Sequence, residues 1–150
     1  MPSGLEIPDF YVEELPDWVN VIAITKDGYF VIEEQYRHGI QKVCFELPAG
    51  ELESGEEPLQ AIKRELEEET GYTGGEWVPL GTYAPNASGC NNTCHSFLAI
   101  GVEKTVEPKR EPTEDIKLHL VTREEIKGML LDGRIAEGVM QAPLWRYLAG

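Results

Sequence analysis

Glu65, Glu68 and Glu69 are the residues whose spacing most directly suggests chemistry. The stretch from about Glu57 to Thr70 has a helical pattern, with Pro58 tolerable in its first turn and Gly71 where a helix can stop at positive φ. At about 100° per residue, with Glu65 set at zero, Glu68 falls near ~300° and Glu69 near ~40°. Leu59, Ile62 and Leu66 fall between about 60° and 120°, a separate stripe for a core, while Gln60, Lys63 and Glu67 take the far side. Three carboxylates within one turn repel by some tenths of a kcal/mol per pair on an exposed helix, and by more as water is removed. Arg64, four residues before Glu68, relieves part of this. Hard cations relieve it further, since Mg²⁺ prefers oxygen ligands and commonly keeps waters and substrate phosphates in its shell. Taken alone, such a helix is more often a solvated acidic face than a metal site.

The flanking pattern supplies elements to hold that helix. Trp18 to Thr25 is nearly all apolar or β-branched, as in a strand covered on both faces. Lys26-Asp27-Gly28 signals a turn, and Tyr29 to Glu34 pairs back as a hairpin. Further strands are read at Val43 to Leu47, Trp77 to Tyr83, Thr93 to Val102 and Ile116 to Val121. Loops run from Ala84 to Asn92 and from Glu103 to Thr113. Thr122 with Glu125 makes a capping box for a helix to about Leu131, Asp132-Gly133 breaks it, and Glu137 to about Leu148 reads as a last helix. Strands with interspersed helices imply an α/β protein with a mixed sheet packed between helices.

Composition narrows the function. The chain has 150 residues, 41% of them apolar, enough for one domain with a sizeable core. No apolar run approaches the roughly 18–20 residues that cross a bilayer, and the segment from Met1 to Leu15 lacks a signal-peptide pattern. A cytoplasmic location without membrane contact is therefore expected. The formal net charge of −14 argues against a phosphate-contacting basic face, hence against nucleic acid. It serves solubility, and part of it can serve a metal site. Cys90, Cys94 and His95 carry only a weak zinc signal, because their spacing is loose and no second ligand pair lies nearby.

The helix comes with a specific preface. Gly50 to Tyr72 reads GELESGEEPLQAIKRELEEETGY, which resembles the Nudix box without a departure: Gly, five residues, Glu, seven residues, Arg-Glu-apolar, one residue, Glu-Glu, one residue, Gly, apolar. Nine such agreements by chance are roughly a 10⁻⁶ event at ordinary residue usage, so the solvated-face reading loses. The resemblance implies a Nudix α/β/α sandwich that cleaves a nucleoside diphosphate linked to another group, using Mg²⁺ or Mn²⁺. Carried over, Glu65, Glu68, Glu69 and the carbonyl of Ala49 are the metal ligands, Glu56 supports the site and Arg64 orients the carboxylates. Metals on a pyrophosphate neutralise its charge, and a carboxylate must take the proton of the attacking water.

Beyond the box, Glu34-Gln35-Tyr36-Arg37, Glu46-Leu47-Pro48-Ala49-Gly50 and Glu114 to His119 resemble the ADP-ribose pyrophosphatase branch. There the arginine of the first run contacts substrate phosphates, which implies Arg37 here, with Glu46 a second substrate-site candidate. The branch places its general base in the loop before the last strand, which offers Glu114 first and Glu111 next, with Asp115 also present. Glu68 is the alternative catalytic carboxylate. The branch also completes its pocket across subunits, so a homodimer is expected, with residues 1–17 a short N-terminal segment and 18–150 the Nudix domain. Pro8 to Leu15, including Phe10, Tyr11 and Val12, would pack on the partner.

Two departures bear on the substrate, a nucleoside diphosphate derivative with ADP-ribose or a nucleotide sugar first. Only about 17 residues precede the first core strand, fewer than such enzymes usually carry to stack a base. Pro85-Asn86-Ala87-Ser88 stands where they tend to have Pro-Gly. Tyr11, Trp18 and Trp77 are aromatic candidates for stacking. The other readings are a house-cleaning hydrolase of free nucleotides and a non-catalytic ligand sensor. The sensor fits poorly, since every box glutamate is present and no basic extension is.

Overall fold

The sheet splits where the hairpin begins, and the split makes room for the acidic helix. A computed structural model describes residues 1–110 and 113–150. Strands β1 (Trp18–Thr25) and β2 (Phe30–Arg37) form the expected hairpin around Gly28, whose φ of 84° suits a residue without Cβ. Their registered pairing is Ile24 with Phe30, after which they diverge. On the β2 side of the gap β3 (Lys42–Glu46) pairs with Glu33 to Arg37, and on the β1 side β4 (Ala49–Glu51) pairs with Trp18 to Asn20. Helix α1 (Pro58–Thr70) follows, then β5 (Tyr72–Tyr83), β6 (Cys94–Lys104), β7 (Lys117–Val121), α2 (Arg123–Leu131) and α3 (Gly138–Ala149). β6 runs parallel to β1 and antiparallel to β5, while β7 pairs antiparallel with the other edge of β2. The result is a mixed seven-stranded sheet.

Alternation along β1 divides the core in two. Val19, Val21 and Ala23 face Ala61, Ile62 and Leu66 of α1, while Ile22 and Ile24 face Ile126, Met129 and Leu130 of α2 and Met140 and Leu144 of α3. A strand buried on both faces between helix layers is the α/β/α sandwich expected above. The stripe read on α1 is the buried one, with Ile62 and Leu66 both at 0% exposure. Thr122 and Glu125 form the full capping box at the start of α2.

Several elements differ from expectation. β2 continues three residues past Glu34, because β3 pairs with Gln35 to Arg37 there. β5 begins at Tyr72 rather than Trp77. Gly74 and Gly75 lie inside it at φ of 75° and 77°, and their turn-like identity hid the pairing with Val102 to Lys104. β4 is only three residues long and was not legible as a strand. The N-terminal segment is exposed, Phe10 and Tyr11 included, and from Glu13 onward it is tied to the loop before β6: Glu13 bridges Cys90, the Leu15 amide donates to Asn91 Oδ1 and the Pro16 carbonyl accepts from Asn92.

Candidate active site

Helix α1 and strand β4 form facing walls of a polar cavity of about 610 Å³. Gly50 pairs with Val19 and sits so close to α1 that a Cβ on it would lie 2.2 Å from the Glu65 carboxyl. The neighbouring Ala49 amide donates to the Glu69 carboxylate at 3.2 Å. Glu65, Glu68, Glu69, Ala49, Arg37 and Glu114 all line this cavity. Most of the residues singled out from the sequence are thus gathered around one space.

Arg64 organises the outer part. Its guanidinium donates to both oxygens of Glu56 at 3.1 Å each, to Glu65 at 2.8 Å and to Glu68 at 3.1 Å. Glu56 holds its carboxyl below the ordinary range through this pairing. It holds Arg64 and is not a cavity wall. Glu46 departs from its expected place. It is 1% exposed and accepts from Arg37 with both oxygens, at 2.5 to 3.0 Å, so it stands behind Arg37 rather than facing the cavity. Arg37 is thereby held with its guanidinium at the cavity wall.

The inner part holds a group that sequence reasoning missed. Glu33 of β2 is 2% exposed and bonds the Glu69 carboxyl, and its Oε1 has no partner among the described residues. Burial pushes both carboxyls up, Glu69 further through the charges of Glu33 and Glu65. Arg110 opposes the rise at Glu33. Glu65 is also raised, chiefly by burial, with Arg64 pulling the other way and Glu68 and Glu114 adding to the rise. Two buried carboxyls in contact hold a proton between them or need a cation. The signal for Glu33 was its place two residues along the same strand from the fully buried Val31.

Glu114 lines the cavity and its charge reaches both Glu65 and Glu69. Glu111 lies outside the described residues. The loop leading to them is tied down: the Lys109 amide donates to the Glu68 carbonyl, and Arg110 donates to the carbonyls of Glu69 and Ile116. Lys109 and Arg110 were not singled out in advance, because their role depends on how the loop docks.

The donor set is all oxygen, clustered and under-neutralised, and so suits a hard divalent cation. Among the described residues no three acidic, histidine or cysteine side chains are already gathered as a closed cage. Arg64 holds Glu65 and Glu68 meanwhile. The zinc alternative fails on geometry. Cys94 faces Asn20, whereas His95, its neighbour on a strand, turns toward Asp17 and Thr82. Trp77 lies against Lys63 on the far side of α1, away from the site, and Tyr11 is 90% exposed. Trp18 does border a cavity beside the acidic one.

Residues 15–140 match the NUDIX domain model. The chain belongs to that family. It is 38% identical over 100 residues to an ADP-ribose pyrophosphatase of Bacillus subtilis, an alignment covering 67% of this chain and 54% of that one. It is 31% identical over 144 residues to an ADP-ribose pyrophosphatase of Mycobacterium tuberculosis, covering 93% and 68%. Among solved structures, the crystal structure of an ADP compounds hydrolase superposes with a TM-score of 0.78 at 19% identity, over 89% of this chain and 71% of the other. That likeness shows the Nudix fold. The chain spans about half to two thirds of the length of the curated relatives it matches.

Proposed function

We propose that this Nudix protein hydrolyses the pyrophosphate bond of a nucleoside diphosphate linked to a second moiety, ADP-ribose or an ADP-sugar first. The observation that carries this is the cavity walled by Glu65, Glu68 and Glu69 on one side and Arg37 on the other. Carboxylates alone would repel a diphosphate, so the anion-binding reading needs the cation that the same carboxylates are suited to hold. Bound Mg²⁺ or Mn²⁺ would neutralise the diphosphate and stabilise the leaving phosphate. Glu65, Glu68 and Glu69, with the Ala49 carbonyl, would hold it. Arg37, fixed by Glu46, orients the substrate's phosphates. Glu114 takes the proton of the attacking water, with Glu111 its nearest substitute and Glu68 the fallback. The names of the B. subtilis and M. tuberculosis relatives support the substrate class.

The protein is further proposed to act as a homodimer in the cytoplasm, through the exposed apolar segment from Pro8 to Leu15. Among the described residues no helix is long and apolar enough to cross a membrane. The test is product release from a panel of nucleoside diphosphate derivatives and nucleoside triphosphates, with Mg²⁺, with Mn²⁺ and after chelation with EDTA. Metal-dependent cleavage of ADP-ribose or an ADP-sugar is expected, and none after exhaustive chelation. Preferential cleavage of triphosphates would replace this reading with a house-cleaning hydrolase. Tight binding without turnover would replace it with a sensor.

A further inference from the structure

Lys109 stands with Thr113 and Glu114 on the loop wall of the acidic cavity, and its backbone is fixed there. The Lys109 amide donates to the Glu68 carbonyl at 2.8 Å, and the Arg110 guanidinium donates to the carbonyls of Glu69 and Ile116. Pro108, whose ring locks its own φ, seats against the end of α1, its Cδ 3.4 Å from where a Cβ on Gly71 would lie. The turn of α1 that presents Glu68 and Glu69 therefore also carries Lys109. A helix C-terminus draws a cation, and the last turn of α1 has no basic residue of its own. Arg110 meets that need, turned inward to the Glu69 carbonyl. Its neighbour Lys109 is left to line the cavity.

The charges around it are unevenly matched. Six acidic residues line the cavity against three cations, Arg37, Arg64 and Lys109. Arg64 is shared among Glu56, Glu65 and Glu68, and both oxygens of Glu46 hold Arg37. Among the described residues no carboxylate forms an ion pair with the Lys109 ammonium, although Lys104 and Lys117 on either side of it are paired. Where acids outnumber cations two to one, this is the cation left to meet an incoming anion. An ammonium is a compact point charge and a good phosphate partner. Its position opposes that of Arg37, which approaches the same space from β2.

We propose that Lys109 is a substrate-binding residue, its ammonium donating to a non-bridging phosphate oxygen of the diphosphate from the loop wall while Arg37 meets the diphosphate from the strand wall. The inference rests on the reading of the acidic cavity as the diphosphate site. It carries a consequence of opposite signs for two ligands. A fixed positive charge beside Glu65, Glu68 and Glu69 opposes the binding of a divalent cation to the empty cavity, and favours the binding of a diphosphate. A lysine that served only to neutralise the carboxylates would show the first effect without the second. A lysine that served only to seat the loop would show neither sign, since its amide does the seating whatever side chain follows.

The experiment compares wild type with Lys109→Met, which keeps the length of the stem and removes the charge, and with Lys109→Arg, which keeps the charge. Calorimetry measures Mg²⁺ alone, then α,β-methylene-ADP in Mg²⁺, a diphosphate whose bridge cannot be hydrolysed; kinetics on ADP-ribose and thermal melts accompany it. Lys109→Met is expected to bind the analogue tenfold or more weakly and Mg²⁺ alone at least as tightly as wild type, with an unchanged Tm. Its KM should rise tenfold or more while kcat stays within threefold, the pattern of a contact made in ground and transition states alike. Lys109→Arg should stay within threefold of wild type throughout. Wild-type affinity for the analogue in Lys109→Met overturns the inference. So does a loss of analogue and Mg²⁺ binding together, a lowered Tm, or a Lys109→Arg as impaired as Lys109→Met. Cleavage of ADP-ribose by wild type with no effect of Lys109→Met sinks this inference alone. A wild type that binds no analogue and cleaves no nucleoside diphosphate compound sinks the functional reading, and this inference with it.

Discussion

Replacing Glu69 by glutamine removes one charge from a buried wall while nearly keeping its shape. Burial first, then the charges of Glu33 and Glu65, push the Glu69 carboxyl up to about 10 from an ordinary 4.5. A carboxyl raised in the folded state favours folding fully only below its unfolded value, and that stability is lost as pH rises from about 4.5 toward 10. At pH 7.5, three units above the unfolded value, the cost at about 1.4 kcal/mol per unit is about 4 kcal/mol. Glu69 borders a wet cavity, so relaxation toward water removes about half, leaving about 2 kcal/mol. Glutamine can still accept from the Ala49 amide and can donate to Glu33, without that cost. At this chain length about 2 kcal/mol is a rise of about 4–8 °C in Tm.

The assay is thermal unfolding in EDTA at pH 7.5 and pH 5, then in Mg²⁺. Glu69→Gln should be the more stable protein at pH 7.5 without metal and gain little at pH 5. Mg²⁺ should raise the Tm of wild type more than that of the variant, because only ligands of the folded state stabilise it. The kcat should fall several hundredfold or more, equivalent to about 4 kcal/mol of lost transition-state stabilisation. The reasoning is refuted if the variant gains nothing at pH 7.5, or gains as much at pH 5. Near-wild-type kcat at saturating Mg²⁺ would remove Glu69 from the ligand set.

Four further predictions concern the other walls. Glu114→Gln should lower kcat by about a hundredfold with little change in KM and flatten the acidic limb of the pH–rate profile; if Glu111→Gln does this instead, the base is Glu111. Arg37→Ala should raise KM and, by leaving Glu46 buried and unpaired, destabilise by about 3 kcal/mol. Adding Glu46→Gln should restore stability but not KM, and a restored KM would deny Arg37 its substrate role. Gly50→Ala places a Cβ 2.2 Å from the Glu65 carboxyl, the far end of a flexible side chain. It should therefore fold normally yet bind Mg²⁺ at least tenfold more weakly, and unchanged metal titration would rule Glu65 out. Sedimentation equilibrium at micromolar concentration should give twice the 16.8 kDa chain mass, and a monomer mass would reject the dimer.

The helix was legible because its signals are local. Leu59, Ile62 and Leu66 mark one face, Glu65, Glu68 and Glu69 another, and Pro58 and Gly71 bracket both. The two-sided burial of β1 was legible for the same reason. What could not be read is what depends on the divergence of β1 from β2 at Ile24 and Phe30, since nothing local to either strand announces it. β4 exists only because that gap needs filling, and Glu33 meets Glu69 only across it. Glu46 was a substrate-site candidate through the resemblance of the run Glu46 to Gly50 to the ADP-ribose pyrophosphatase branch, whereas pairing in register with Glu33 turns it inward to Arg37. Asn20, one polar residue in the apolar run of β1, meets the Val139 carbonyl only because α3 docks over it.

The C-terminal end of α1 has a task beyond stopping the helix. A helix leaves its last carbonyls without intrahelical donors, and here the segment before β7 supplies them. The Glu68 carbonyl accepts from the Lys109 amide, the Glu69 carbonyl from Arg110, and the Gly71 carbonyl from the amides of Thr105 and Val106. Gly71 has φ of 75°, and a Cβ there would stand 2.2 Å from the Val106 carbonyl oxygen, a backbone atom that cannot swing aside. Glycine is therefore required twice, for its conformation and for the approach of this loop. The residues whose side chains face the cavity thus hold, through their own carbonyls, the loop that brings Glu114 to the same cavity. Any change that frays the last turn of α1 displaces metal ligands and proton acceptor together, which is why a short helix with one glycine after it can organise both halves of the site.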